Sequence, residues 1–248
     1  MRSFVFAAVA ALSLVAAPTF AQSTDSGVAA YQAGDYKTAA DTFSILAASN
    51  NPLGYYWLGR LYAEGNGVEQ SYEQAVVMYQ KGADLGNVDA TNALGMFYYN
   101  GLGVAQDKAR GFTLIARAAD GGSLLAMRNA GEMLLDGDGV AKDSAAGAGW
   151  VQKAAATGDA SSENLLASLF YSGEGVAQDY GQAASWFQKA ADQDDVDGMV
   201  NLAKLYESGK GVTADKTTAK LWYGKAAAKG DNEAATWLVS HASDPDLQ

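Results

Sequence analysis

Residues 87–122 read NVDATNALGMFYYNGLGVAQDKARGFTLIARAADGG, and this stretch decides the fold. Ala90, Leu94 and Tyr98 recur every four residues, which stacks them on one face of a helix. Gly101-Leu102-Gly103 ends that helix, because glycine accepts the left-handed backbone that a helix C-terminus needs. Val104 then serves as an anchor beneath the loop. Asp107 is placed to cap a second helix, whose bulky pair is Leu114-Ile115 and whose end falls near Gly122. The stretch is therefore two antiparallel helices joined by a glycine turn.

The same unit returns along the chain. Gly-x-Gly-Val stands at Gly65–Val68, Gly101–Val104, Gly137–Val140, Gly173–Val176 and Gly209–Val212, always 36 residues apart. Upstream lie Leu58-Gly59, Leu94-Gly95, Ala130-Gly131, Leu166-Ala167 and Leu202-Ala203; the small second residue lets a neighbouring helix come close. Four residues after the first of each pair stands a large side chain: Tyr62, Tyr98, Leu134, Phe170 or Tyr206. The caps of the second helices are Ser71, Asp107, Asp143, Asp179 and Asp215, and Gln74 and Gln182 add a capping-box spacing to two of them. Downstream come Met78-Tyr79, Leu114-Ile115, Trp150-Val151, Trp186-Phe187 and Trp222-Tyr223. Each of these pairs is followed two residues later by a cation, from Lys81 to Lys225. The tryptophan column has the period of the core and reads as packing, and the cations read as partners of the helix dipole. One such unit cannot bury enough surface to fold alone, so stacking is required.

Both flanks differ from the array. Residues 1–21 have the layout of a secretory signal peptide: Arg2, an apolar run from Phe4 to Ala17, then Thr19-Phe20-Ala21. Cleavage after Ala21 is expected, with the mature chain starting at Gln22 and living in the periplasm or outside the cell. Residues 22–50 read as a linker and a tetratricopeptide-like half-repeat carrying Tyr31, Gly34, Asp35, Tyr36, Ala39, Ala40 and Phe43. Residues 51–230 hold the five repeats, and 231–248 a capping helix and tail.

The pattern Ala-x-x-x-Leu-Gly-x-x-Tyr-x-x-Gly-x-Gly-Val-x-x-Asp, followed by Trp-Tyr-x-Lys-Ala-Ala-x-x-Gly, resembles the Sel1-like repeat family. The second part is matched in full by Trp222, Tyr223, Lys225, Ala226, Ala227 and Gly230. The resemblance implies an all-α, right-handed α/α solenoid of helix-turn-helix repeats, similar to tetratricopeptide arrays, with a concave face made by the first helices. It also implies an adaptor or regulator, since exported bacterial members act in polysaccharide regulation, envelope signalling and host contact. A cysteine-rich branch of the family is linked to penicillin binding and β-lactam hydrolysis. This chain has no cysteine, so that activity is not carried over.

Chemistry is thinly represented. Without cysteine there is no disulfide, thiol nucleophile or lipid-modified cysteine, and His241 is the only histidine. Gly-x-Gly ends a helix here instead of opening one after a strand, which argues against phosphate binding. The acidic run from Gln193 to Gly198 has Asp195, Asp197 and Gly198 in a calcium-loop register. It fails that motif with Gln193 at the first ligand position and Lys204 at the last. No catalytic, metal or cofactor site is expected. A net charge of −11 repels nucleic acid and anionic membranes, and no apolar run after the signal is long enough to insert.

The remaining candidates are first-helix positions two before and two after each leucine-type residue, which vary between units. They are Tyr56 and Arg60, Asn92 and Met96, Arg128 and Glu132, Asn164 and Ser168, Val200 and Lys204. On a concave face they would form a groove for a protein segment. The expected function is an exported, non-catalytic protein–protein interaction scaffold or regulator; the alternative is a cell-envelope enzyme acting on cell-wall material.

Overall fold

A computed structural model describes residues 23–244. The segment read as a signal peptide, Gln22 and the end of the tail lie outside the described residues. The rest forms α1 (Thr24–Gln32), α2 (Tyr36–Ala48), α3 (Pro52–Glu64), α4 (Tyr72–Asp84), α5 (Val88–Asn100), α6 (Lys108–Asp120) and α7 (Leu124–Asp136). These are followed by α8 (Ser144–Ala155), α9 (Ala160–Ser172), α10 (Tyr180–Asp192), α11 (Val196–Ser208), α12 (Lys216–Ala228) and α13 (Asn232–Ser240). Each helix packs against the next, so the fold is an α/α solenoid. In addition α3 touches α5 and α5 touches α7, an approach of odd helices across repeat boundaries that sets them on the inner side.

Helix starts follow the expected chemistry. The side chains of Ser71, Asp107, Asp143, Asp179 and Asp215 each accept a backbone N–H at the start of an even helix. The capping-box reading needs correction. The N–H groups of Gln74 and Gln182 do donate to Ser71 and Asp179, at 3.2 and 3.0 Å. In a full box the glutamine side chain would take the N–H of the cap residue, but that donor is already spent. Ser71, Asp107, Asp143, Asp179 and Asp215 donate their backbone N–H to the carbonyls of Tyr62, Tyr98, Leu134, Phe170 and Tyr206 at 2.8–2.9 Å. This bond closes every turn. A box with both arms forms instead at Ser23 and Ser26, and it starts α1. Residues 24–48 are thus a helix pair with a shortened first member, where a linker and half-repeat were expected.

The two turn glycines do different work. Gly101 takes φ 72° and stops α5. Gly103, at φ 66°, rests on the preceding repeat: a Cβ there would lie 2.4 Å from the carbonyl carbon of Tyr72, the first residue of α4. The loop is therefore seated on the even helix that comes before it in sequence. Gly67 on Tyr36, Gly175 on Ser144 and Gly211 on Tyr180 repeat that contact.

Within a unit the seam is equally tight. A Cβ on Gly95 would meet Cγ1 of Ile115 at 2.8 Å and the Gly111 carbonyl oxygen at 2.9 Å. Turns between units use left-handed Gly86, Gly122, Gly158 and Gly230; in the remaining unit Asp194 takes the same conformation at φ 70°. The tryptophan column is core-facing, with Trp222 buried and Trp150 and Trp186 half-buried. The cation column does more than meet a helix dipole: Lys153, Lys189 and Lys225 lie 3.8, 3.5 and 3.7 Å from the ring centres of those tryptophans. At the C-terminal end exposed Lys220 occupies the column that holds Ala40, Val76, Phe112, Ala148 and Ala184, and Val239 replaces the small seam residue, 79% exposed.

Candidate functional site

Adjacent odd helices do not close fully on one another, and three recesses open along their inner face. The first, about 290 Å³, lies between α3 and α5 and is lined by Tyr56, Arg60, Glu64, Asp89, Asn92 and Met96, with Tyr79 behind and Leu125 at the rim. The second, about 160 Å³, lies between α5 and α7 and shares Met96; Tyr99, Asn129, Glu132, Met133, Asp136 and Asp138 complete it. The third, about 180 Å³, lies between α9 and α11, with Ser168, Tyr171, Phe187, Asn201, Lys204 and Leu205 around it.

In the first recess the Arg60 guanidinium pairs with Glu64 at 2.7 Å and sits over the rings of Tyr31 and Trp57, at 4.9 and 5.2 Å. Tyr31 Oη and Asn66 Nδ2 also donate to Glu64, at 2.5 and 2.8 Å. Burial works to raise the Glu64 carboxyl, but these donors and the Arg60 charge outweigh it and hold it below the usual carboxylate range. Burial pushes the Tyr56 and Tyr79 phenols up, so both stay protonated. In the second recess Asp138 accepts from Lys108 at 2.6 Å and from the Tyr99 hydroxyl. Those two hydrogen bonds hold Asp138 below its ordinary value.

The arrangement of five equal units is decisive for kinship. A family model for the Sel1 repeat matches residues 52–87, 88–123, 124–159, 160–195 and 196–231. The chain belongs to the Sel1 repeat family. Its fold is the right-handed α/α solenoid of that family. It is similar to the crystal structure of c5321, a protective antigen present in uropathogenic Escherichia coli strains displaying an SLR fold, with 31% identity and a TM-score of 0.81. That match covers 89% of this chain but 49% of the antigen, so the chain spans about half the length of that protein. A Sel1 repeat protein from Oxalobacter formigenes is 30% identical with a TM-score of 0.78, the match covering 88% of this chain and 89% of that one. The immunity protein Pa5087 from Pseudomonas aeruginosa, 20% identical over 90% of this chain and 84% of its own at a TM-score of 0.52, shares the fold alone. The curated proteins contain no match to the chain.

In this Sel1 repeat protein the ten first-helix positions separate into groups. Tyr56, Arg60, Asn92, Met96, Glu132, Ser168 and Lys204 reach a recess. Arg128 turns toward the next unit and approaches Asp159 at 3.8 Å. Asn164 accepts from Asn201 at 3.1 Å across the boundary between α9 and α11. Two positions are corrected from surface to interior. Asn92 is buried, clasped by Asn129 of the following odd helix at 3.2 Å, and Val200 is buried in the C-terminal core with Met199, Leu202 and Trp222. At Asn92 the next odd helix, α7, leans over the position two before the leucine column.

The residues that this reading missed, among them Tyr99, Asn129, Asp136, Tyr171 and Asn201, lie on the side of each odd helix that faces its neighbour unit. A signal for part of it is present in the sequence: Asn92 and Asn129, like Asn164 and Asn201, stand 37 residues apart, one repeat plus one. The acidic run that resembled a calcium loop is a helix start instead. Asp195 caps α11 through the Gly198 N–H at 2.7 Å, and Gln193 donates to Glu163 at 2.7 Å. Burial raises the carboxyls of both Asp195 and Glu163.

Proposed function

We propose that this Sel1 repeat protein is an exported, non-catalytic scaffold that holds a segment of another protein against its odd-helix face, in the periplasm or outside the cell. The carrying observation is the row of recesses on that face, lined by side chains that change from unit to unit while the seams between helices stay alike. Two of the recesses share Met96 in their lining, so together they follow the odd-helix face from α3 to α7, the side on which a protein segment would lie. The carboxylates with displaced titration there, Glu64 and Asp138, are held charged by cations and hydroxyl donors. Held so, they are poor proton donors near neutral pH, which favours a scaffold over an enzyme of cell-wall material. No helix among the described residues is long and apolar enough to cross a membrane.

Site-specific photocrosslinking in the native organism tests the reading. A crosslinking amino acid at Met96 or Ser168 should capture one protein partner, and the same group at Thr113 or Ser185, exposed on even helices, should not. Capture at Thr113 and Ser185 alone would move the function to the outer face. Intact mass of the protein recovered from the periplasm or medium should correspond to a chain starting at Gln22 without lipid; a chain starting at Met1 in the cytosol would overturn export.

A further inference from the structure

The two joined recesses differ from the third in charge, and that difference specifies a partner. Their floor is apolar and adaptable: half-buried Met96 is common to both, Met133 and Phe97 lie beside it, and Leu125, 55% exposed, stands at the rim. Methionine side chains re-pack around ligands of differing shape at small cost. Around this floor stand five carboxylates, Glu64, Asp89, Glu132, Asp136 and Asp138. Two cations answer them, Arg60 on Glu64 and Lys108 on Asp138, leaving an excess of three negative charges. Asp89 has the Ser123 hydroxyl at 3.0 Å as its hydrogen-bond donor, while Glu132 and Asp136 are exposed with no ion pair among the described residues. In the third recess the charged side chain is a cation, Lys204, matched by Glu233 at 2.7 Å.

We propose that the joined recesses of α3, α5 and α7 take a protein segment presenting a lysine or arginine next to an apolar side chain. The apolar side chain rests on Met96 and Met133, and the cation lies beside Glu132 and Asp136, one helical turn apart on α7. This rests on the groove reading above and adds the chemistry of its occupant. Charge complementarity of this kind sets the register and selects against acidic competitors, because a like charge placed at the same rim is repelled.

The test uses the mature protein carrying ¹³C-methyl methionine and a set of labelled twelve-residue peptides of leucine, glycine and serine. Members differ at three positions, which hold lysine, glutamate or serine. The lysine peptide should shift the methyl signals of Met96 and Met133 and leave Met127 and Met199 in place. Its affinity should fall about tenfold in the Glu132→Gln, Asp136→Asn variant and further with added salt. The Glu69→Gln, Asp120→Asn variant removes the same charge from exposed positions outside the groove and should bind as wild type does. Equal weakening of both variants would reduce the effect to the overall −11 charge and overturn the proposal. If the serine or glutamate peptide shifts Met96 and Met133 as strongly as the lysine peptide, the charge preference is wrong and the groove stands. If no peptide shifts either methyl, the groove reading itself falls.

Discussion

The Gly-x-Gly-Val turns and the inner face of the odd helices come from the same unit, yet one is constant through the array and the other changes at each step. At the turns and seams, backbone meets backbone: Gly103 lies on the Tyr72 carbonyl and Gly95 on the Gly111 carbonyl, with no room for a side chain. On the inner face, side chains meet open space or one another, as Arg60 meets Glu64 and Asn129 meets Asn92. The difference teaches that stability here is stored in repeated steric identities, whereas recognition can be varied unit by unit without touching them.

Substitutions on the two sides of this divide should separate cleanly in thermal melts followed by circular dichroism. Gly95→Leu should cost the most, about 3 kcal/mol, because its Cβ alone would sit 2.8 Å from Ile115 and the rest of the side chain would overpack the seam. A loss below about 0.5 kcal/mol would show that the α5–α6 seam can slide apart. Asp107→Ala should cost about 1 kcal/mol, since the bond from the Arg110 N–H is lost while the turn bond from its backbone to Tyr98 remains. Asp194→Gly should act in the other direction, raising stability by about 0.5 kcal/mol. It relieves a left-handed aspartate and gives up only an exposed pair with Lys229. If the variant melts lower than wild type, the Lys229 pair outweighs the backbone strain. The smallest effect belongs to the inner face: Arg128→Ala with Glu132→Ala should stay within about 0.5 kcal/mol of wild type. A larger loss would mean that the Arg128–Asp159 contact is part of the fold's framework.

The sequence made the solenoid legible because a period of 36 superimposes five independent copies of each decision: where a helix stops, where the next is capped, which face is buried. Even Asp194 declared itself as the odd member of a glycine column, and its left-handed backbone shows that the position, not the residue type, is what the turn demands. The inner face was legible in part. Helical periodicity tells which side of α5 meets α6, and this placed Met96 and Glu132 at recesses. It says nothing of how far α7 leans over α5, which is why Asn92 was read as surface, nor of the C-terminal core that takes in Val200. The lysines over Trp150, Trp186 and Trp222 were hidden for a related reason. Their spacing suits both a helix dipole and a ring three residues earlier, and only geometry distinguishes the two.

The seating of each glycine loop on the helix before it has a temporal meaning. Gly103 needs Tyr72, Gly139 needs Lys108, and Gly211 needs Tyr180, so the seat is always synthesised ahead of the loop it receives. Side-chain bonds between units obey the same short reach: Tyr99 meets Asp138 and Lys210 meets Tyr171 across 39 residues, little more than one repeat. A chain delivered N-terminus first can therefore add each unit to those already stacked, each helix start accepting the next turn as soon as that turn emerges. Growth by addition to a finished edge lets each turn find its seat as soon as the chain supplies it.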